Sequence, residues 1–271
     1  MMEPTTTTKL KRGKNFTAVI LAAGQGTRLR PLTDNRPKCM VEVAGTAIID
    51  RQMETLKACG VENIVIVGGY LHEKLPKDGV VKVVNPKFAD TNMIYSLLCA
   101  KDYLKGDVIV SYGDIFFDNS VLKQLMASSF DIAIASDQQW EQYWEKRFVD
   151  PLSDAETFSV NKATAQVLSL GQKPKKMTEV QGQFIGLLKF SEKGIQQLQT
   201  IYTSCALDDS CSINAWNSGR TLEKAYMTDI LNELAKQGLV YFEPIHRGWF
   251  EIDDQEDLKV AEQELESLQN L

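Results

Sequence analysis

Phe16-Thr17-Ala18-Val19-Ile20-Leu21-Ala22-Ala23-Gly24-Gln25-Gly26-Thr27-Arg28-Leu29-Arg30-Pro31-Leu32-Thr33, closed by Pro37-Lys38, decides how the rest of the chain is read. Residues 16–22 form a short apolar run, as expected of a parallel strand buried on both faces. Behind it, Gly24 and Gly26 permit a tight turn and let backbone N–H groups come close to an anion. Arg28, Arg30 and Lys38 add fixed positive charge, so the segment predicts a cradle for several phosphates. A dinucleotide fingerprint would need a third glycine where Leu29 stands, and the Gly-Lys-Ser/Thr ending of a Walker loop is absent.

Outward from this loop the first half alternates strand and helix. Ile48, Ile49, Met53 and Leu56 recur at helical spacing over residues 46–59, stopped by Gly60. Residues 63–67, 80–84, 107–112 and 131–135 read as strands, and residues 92–104 and 121–126 as helices. Repeated βα units of this length predict an α/β fold with a Rossmann-like, doubly wound, mostly parallel sheet. The second half reads differently: a hairpin over 156–160 and 165–170, a strand over 184–190, and two short strands around Arg247-Gly248 within 240–252. Residues 227–237 and 255–271 are the helices expected there. The spacing predicts an antiparallel insertion over the sheet's C-terminal edge, where ligands of open α/β sheets bind. Residues 15–271 are expected to form a single domain behind a polar, basic and disordered tail, residues 1–14.

Lys plus Arg number 30 against 36 Asp plus Glu, and the resulting net charge of −6 argues against a nucleic-acid partner. No apolar run approaches the roughly 20 residues of a membrane span, and no secretory apolar stretch opens the chain. Five cysteines without a C-x-x-C pair are expected as reduced thiols of a cytoplasmic protein. With two histidines in all, a zinc site is not expected.

Residues 21–38 match throughout the signature L-A-A-G-x-G-T-R-L-x-P-L-T-x-x-x-P-K. The chain thereby resembles the nucleotidyltransferases that join a nucleoside triphosphate to a sugar phosphate or a small phospho-alcohol. Val67-Gly68-Gly69-Tyr70, the Tyr-Gly-Asp turn at Asp114 and the Gly-Trp-x-Glu-Ile-Asp segment ending at Asp253 extend the resemblance. It implies nucleotide contacts from Leu21, Ala22, Ala23, Gly24, Gly26, Thr27, Arg28 and Lys38, with Gly69 and Tyr70. It further implies catalytic roles for Arg28 on the β- and γ-phosphates, for Lys38 between the α-phosphate and the acceptor, and for Asp114. Because the acceptor is already an anion, the reaction needs charge neutralisation and alignment more than a strong base. Mg²⁺ requires hard oxygen ligands. Asp114 follows a buried strand and a glycine, while Glu251 and Asp253 alternate on one strand face, so these three are the expected metal carboxylates. Asp254, Glu256 and Asp257 are expected to open the last helix, where acids favour the dipole.

Thr91-Asn92-Met93-Ile94-Tyr95-Ser96-Leu97 resembles the cytidylyltransferase branch that acts on phosphocholine and related phospho-amines or phosphonates. Asn92 and Ser96 share a helix face and would reach a pyrimidine edge. Residues 144–158 and 181–187 resemble the same branch. Gly182-Gln183 stands where sugar enzymes show Gly-Glu, and Gln172-Lys173-Pro174 only partly matches their Glu-Lys-Pro. The expected function is a Mg²⁺-dependent transfer from CTP to a small phosphorylated or phosphono substrate of the phosphocholine or 2-aminoethylphosphonate class, releasing pyrophosphate. A uridylyl- or thymidylyltransferase acting on a sugar 1-phosphate is the alternative, and a silent nucleotide-binding regulator a third reading. A cationic amine on the acceptor would want carboxylates or an aromatic face. Asp154, Glu156 and Trp249 are the candidates, with Trp140, Tyr143, Trp144 and Trp216 as further rings. Leu265 and Leu268 on the last helix fit either a core or the contact of a homodimer.

Overall fold

β1 (Phe16–Ala22) is buried at every position but Thr17, as its apolar sequence requires. The computed structural model describes residues 16–269, so the tail expected over residues 1–14 lies outside them. The chain continues through β2 (Glu42–Val43), β3 (Thr46–Ala47), α1 (Ile48–Ala58), β4 (Asn63–Gly68), β5 (Val81–Val84) and α2 (Met93–Cys99). β6 (Asp107–Tyr112), β7 (Ile115–Phe117), α3 (Asn119–Ala127) and β8 (Ile132–Asp137) complete the first half. The second half adds α4 (Trp140–Arg147), β9 (Phe158–Asn161), β10 (Gln166–Leu170), β11 (Gln183–Phe190), α5 (Glu192–Leu207) and α6 (Asp209–Ile213). It ends with α7 (Met227–Lys236), β12 (Tyr241–Ile245), β13 (Trp249–Glu251) and α8 (Gln255–Gln269).

The main sheet has the order β5-β4-β1-β6-β11-β8-β12-β10-β9. β5, β4, β1 and β6 are mutually parallel, and β12 is parallel to β8. β11 runs antiparallel between β6 and β8, and the β9–β10 hairpin extends the far edge. The antiparallel strands therefore sit within the sheet rather than over its C-terminal edge, because β11 is apolar enough to be buried on both faces. Ile20, Ile48, Leu56 and Trp249 belong to the core on one face, and Val19, Leu97, Leu188 and Leu231 to the core on the other. A separate antiparallel ribbon pairs β13 with β7, Glu251 opposite Ile115.

Several boundaries differ from the sequence reading. Thr46 and Ala47 pair with β2 before α1 begins, and α2 stops at Cys99, short of residue 104. α4 and α5 were not anticipated; Ser191 caps α5 by accepting the Gly194 N–H at 3.1 Å. Cys205 and Cys211 are disulfide-bonded, which corrects the expectation of five thiols. α5 ends at Leu207 and Asp208 caps α6, so the chain reverses and brings the two Cα atoms to 5.1 Å. Leu265 packs against the core, whereas Leu268 is exposed. Among the described residues no helix is long and apolar enough to cross a membrane.

Candidate active site

The loop behind β1 closes on Lys38. Gly26 is left-handed (φ 63°), and a Cβ there would lie 2.8 Å from the Lys38 Cβ, so only glycine fits both conformation and space. Thr33 Oγ1 donates to the Gly26 carbonyl at 2.8 Å, and Tyr70 braces the loop, its N–H on Ala23 O and its hydroxyl on Asp34 O. At the end of β6, a Cβ on Gly113 would come within 2.8 Å of Leu21 O; its absence lets the Asp114 turn lie directly beside the loop. Gln52 from α1, fully buried, fixes that turn. Its Nε2 donates to Tyr112 O at 2.9 Å and Ile115 O at 2.5 Å, and its Oε1 accepts from Ser111 Oγ at 2.9 Å. Sequence reading missed Gln52, whose only sequence signal is a polar residue on the buried face of an amphipathic helix.

Lys38 Nζ donates to Asp114 Oδ2 at 2.7 Å and also to Asp253 Oδ1, whose other oxygen accepts from Arg28 Nη2 at 2.7 Å. Burial opposes the Lys38 charge, but the two carboxylates outweigh it and hold the ammonium above its ordinary range. Burial likewise works against the Asp253 anion, and Lys38 with Arg28 overcomes it, keeping this carboxyl below the usual range. Asp114 Oδ1 is buried and has no hydrogen-bond partner. An orphaned carboxylate oxygen beside a second carboxylate, with an ammonium lying between them, is a donor set that fits a hard divalent cation shared with substrate phosphates. Glu251 takes a different partner. Its Oε2 lies 2.8 Å from Arg147 Nη1, and burial first, then the nearby Asp253, Asp114 and Asp154, push its carboxyl up to about 8. Among the described residues no three His, Cys, Asp or Glu gather as a metal group; Asp114 and Asp253 meet on Lys38, while Glu251 pairs with Arg147.

Two cavities meet at this ion cluster. The first, about 130 Å³, is lined by Leu21, Ala22, Ala23, Gly24, Lys38 and Asp114, with Asn92 and Ser96 from the α2 side. Asn92 Oδ1 caps α2 by accepting Met93 N–H at 2.8 Å, and Ser96 Oγ accepts from Asn85 Nδ2 at 3.0 Å. Gly26, Thr27, Arg28, Gly69 and Tyr70 do not line it; Gly69 packs behind the loop against Phe88 and Ala23 O. The second cavity, about 240 Å³, is lined by Asp154, Glu156, Gln183, Tyr226, Glu251 and Asp253, and Met93 and Tyr112 border both. Burial, then Asp154 and Asp229, push the Glu156 carboxyl up to about 7 despite the opposing Arg220. Trp249 is 1% exposed and donates its indole N–H to Asp137 at 2.8 Å. It faces the core, which removes it from the acceptor set; Trp140, Tyr143 and Trp144 are buried likewise. The rings that do line the second cavity are Tyr112, Phe184 and Tyr226, which sequence reading had not singled out.

Residues 18–181 match the MobA-like NTP transferase domain. The CTP:phosphoglutamine cytidylyltransferase of Campylobacter jejuni is 36% identical over 256 residues, covering 90% of this chain and 98% of that protein. The choline-phosphate cytidylyltransferase of Streptococcus pneumoniae is 41% identical over 117 residues, 42% of this chain and 51% of that protein. Among solved structures, the inositol-1-phosphate CTP transferase from T. maritima superposes with a TM-score of 0.70 at 24% identity, over 92% of this chain and 95% of that one; this likeness concerns the fold.

Proposed function

The chain belongs to the MobA-like NTP transferase family and is a nucleotidyltransferase, and from that premise we propose that it joins CTP to a small phosphorylated or phosphono substrate carrying a cationic nitrogen, with Mg²⁺ as cofactor. The observation that carries this reading is the Lys38–Asp114–Asp253 cluster standing between a cavity lined by the end of β1, Gly24 and Lys38 and a cavity lined by acids. Phosphoglutamine and choline phosphate, the acceptors in the names of two relatives, each pair a phosphoryl group with a nitrogen able to carry positive charge. In the second cavity Asp154 and Glu156 offer the opposite charge, and Tyr226 and Phe184 an aromatic face. Gln183 is already committed, giving Nε2–H to Glu156 O at 2.6 Å and taking Glu156 N–H at 3.3 Å, so it is poorly placed to replace a sugar-binding acid.

In the proposed reaction an acceptor phosphate or phosphonate oxygen attacks the α-phosphorus of CTP in line, and pyrophosphate leaves from the opposite side. The attacking oxygen is already ionised, so no proton has to be removed. Asp114 and Asp253 would hold Mg²⁺, which supplies charge neutralisation on the nucleotide phosphates. Lys38 then turns from its carboxylates to the α-phosphate and acceptor, and Arg28 to the outgoing phosphates. Backbone N–H groups of the 24–28 loop complete the cradle. Asn92 has its amide nitrogen left to donate to a pyrimidine carbonyl. The proposed catalytic unit is residues 15–271, and because CTP is an intracellular substrate its proposed place of action is the cytoplasm.

Pyrophosphate release with Mg²⁺ tests this, comparing CTP, UTP, dTTP and ATP against phosphocholine, 2-aminoethylphosphonate, phosphoethanolamine, phosphoglutamine, glycerol phosphate and glucose 1-phosphate. Turnover is expected with CTP and an amine-bearing acceptor; turnover only with UTP or dTTP and the sugar would replace the reading by the sugar-nucleotide one. Glu156 supplies a second check. Its raised carboxyl favours the fold while protonated, and that contribution is lost as pH rises through about 7. Glu156→Gln should therefore raise the melting temperature at pH 8 by several degrees and change it by about a degree or less at pH 4.5. The same substitution should lower kcat/KM for the amine acceptor at pH 8 on the order of tenfold, through loss of one charged partner.

A further inference from the structure

Asp253 lies in the turn between β13 and α8, and its backbone is held from below. The N–H groups of Asp253 and Asp254 both donate to Asp257 Oδ2, at 2.8 and 3.2 Å. Asp257 is 1% exposed and receives Arg147 through two bonds, Nε to Oδ1 at 2.6 Å and Nη2 to Oδ2 at 3.1 Å. The Arg147 side chain is wholly buried, its third nitrogen lies 2.8 Å from Glu251 Oε2, and its guanidinium packs about 5 Å from the ring centres of Tyr143, Trp144 and Phe148. Tyr143, one turn earlier on α4, accepts the Glu251 N–H at 3.1 Å and donates to the Glu251 carbonyl at 3.3 Å. α4 thus grips the segment on both sides of Ile252. A buried ion pair adds little net stability over a well-packed apolar group. What this one does is geometric: a planar, two-pronged guanidinium permits one orientation of Asp257, and that orientation fixes two successive peptide N–H groups.

We propose that Arg147, acting through Asp257, is the positioning residue that sets the Asp253 carboxylate at the meeting point of Lys38, Arg28 and the Mg²⁺–nucleotide complex. The inference rests on the CTP reading given above. Trp144 on the same helix donates its indole N–H to Asp154 at 3.1 Å, so α4 also ties this placement to a carboxylate of the acceptor cavity.

The test is calorimetric CTP binding to the full chain in Mg²⁺ and in EDTA, alongside melting temperature and steady-state kinetics, for Arg147→Lys, Asp257→Asn and Asp257→Leu. Arg147→Lys should weaken CTP binding in Mg²⁺ by about tenfold or more, the usual range for groups that orient a metal ligand. Binding in EDTA should stay within about twofold, and kcat should fall more than the acceptor KM rises. Asp257→Asn keeps an oxygen for the Asp253 N–H and should lose less than Asp257→Leu, which keeps none. Lower melting temperatures with the Mg²⁺-dependent gain in CTP affinity intact in all folded variants would make the pair a structural clasp and overturn the inference alone. A wild-type chain whose CTP affinity does not respond to Mg²⁺ would overturn the cofactor reading together with it. Should Arg147→Lys fail to fold, the graded pair at Asp257 gives the same decision.

Discussion

Asp114→Asn should lower kcat by about three orders of magnitude while the protein stays folded. The side chain keeps its size and its place at the end of β6, where Gln52 holds the flanking carbonyls from α1. What it loses is the negative charge of a carboxylate that has one oxygen on Lys38 and the other buried without a partner. If that orphaned oxygen serves the divalent cation, its neutralisation removes on the order of 4 kcal/mol of transition-state stabilisation, which is the stated factor in rate. Kinetics over a Mg²⁺ titration and a thermal melt decide the matter together. Normal Mg²⁺-dependent turnover in the variant would take Asp114 out of the reaction.

Lys38→Met should produce the second large effect, and with two opposed signatures. The ammonium touches both Asp114 and Asp253. Its removal should cost about 3 kcal/mol in kcat/KM, roughly a hundredfold, as loss of one charged donor at a reacting phosphoryl group does. It also leaves the mostly buried Asp114 without a counter-charge and Asp253 with Arg28 alone, so the fold should lose a few kcal/mol. Mg²⁺ at millimolar concentration should restore more melting temperature to this variant than it adds to the wild type, because the cation then meets an empty carboxylate pair rather than one filled by Lys38. A rise in KM with kcat unchanged would show that Lys38 binds ground-state phosphate only. Equal Mg²⁺ responses of the two proteins would separate the carboxylates from the metal.

Much of the nucleotide half was legible in the sequence because its determinants are local. β1 and β6 occur at the residues expected, since mostly apolar runs followed by glycine turns have few other ways to be buried. The turn behind β1 was legible for the same reason: its glycines and the preceding strand lie within a few positions of one another. Long-range partnerships were not. Glu251 and Asp253 share a parity in the sequence, but β13 ends at Glu251, and the two carboxylates take different partners, Arg147 for one and Lys38 with Arg28 for the other. Arg147 sits on a helix whose inward face includes a charged residue, which obscured both helix and partner. Asp257 stands in the first turn of α8, as its acidic neighbourhood implies, and Asp254 caps the helix by accepting the N–H groups of Glu256 and Asp257; the pairing of Asp257 with a residue 110 positions away has no local signal. Trp249 was misread because alternation gives the face of a strand and not what covers that face.

Lys38 and Asp253 are separated by 215 positions, and they meet only once β13 has zipped onto β7. During synthesis the amino-terminal portion leaves the ribosome first, with β1, β4 and β6 able to pair while the closing residues are still unmade. A nascent chain at that stage has its phosphate loop but only one of the two carboxylates. On the proposed assignment of the two carboxylates, catalytic competence is the last property the polypeptide acquires.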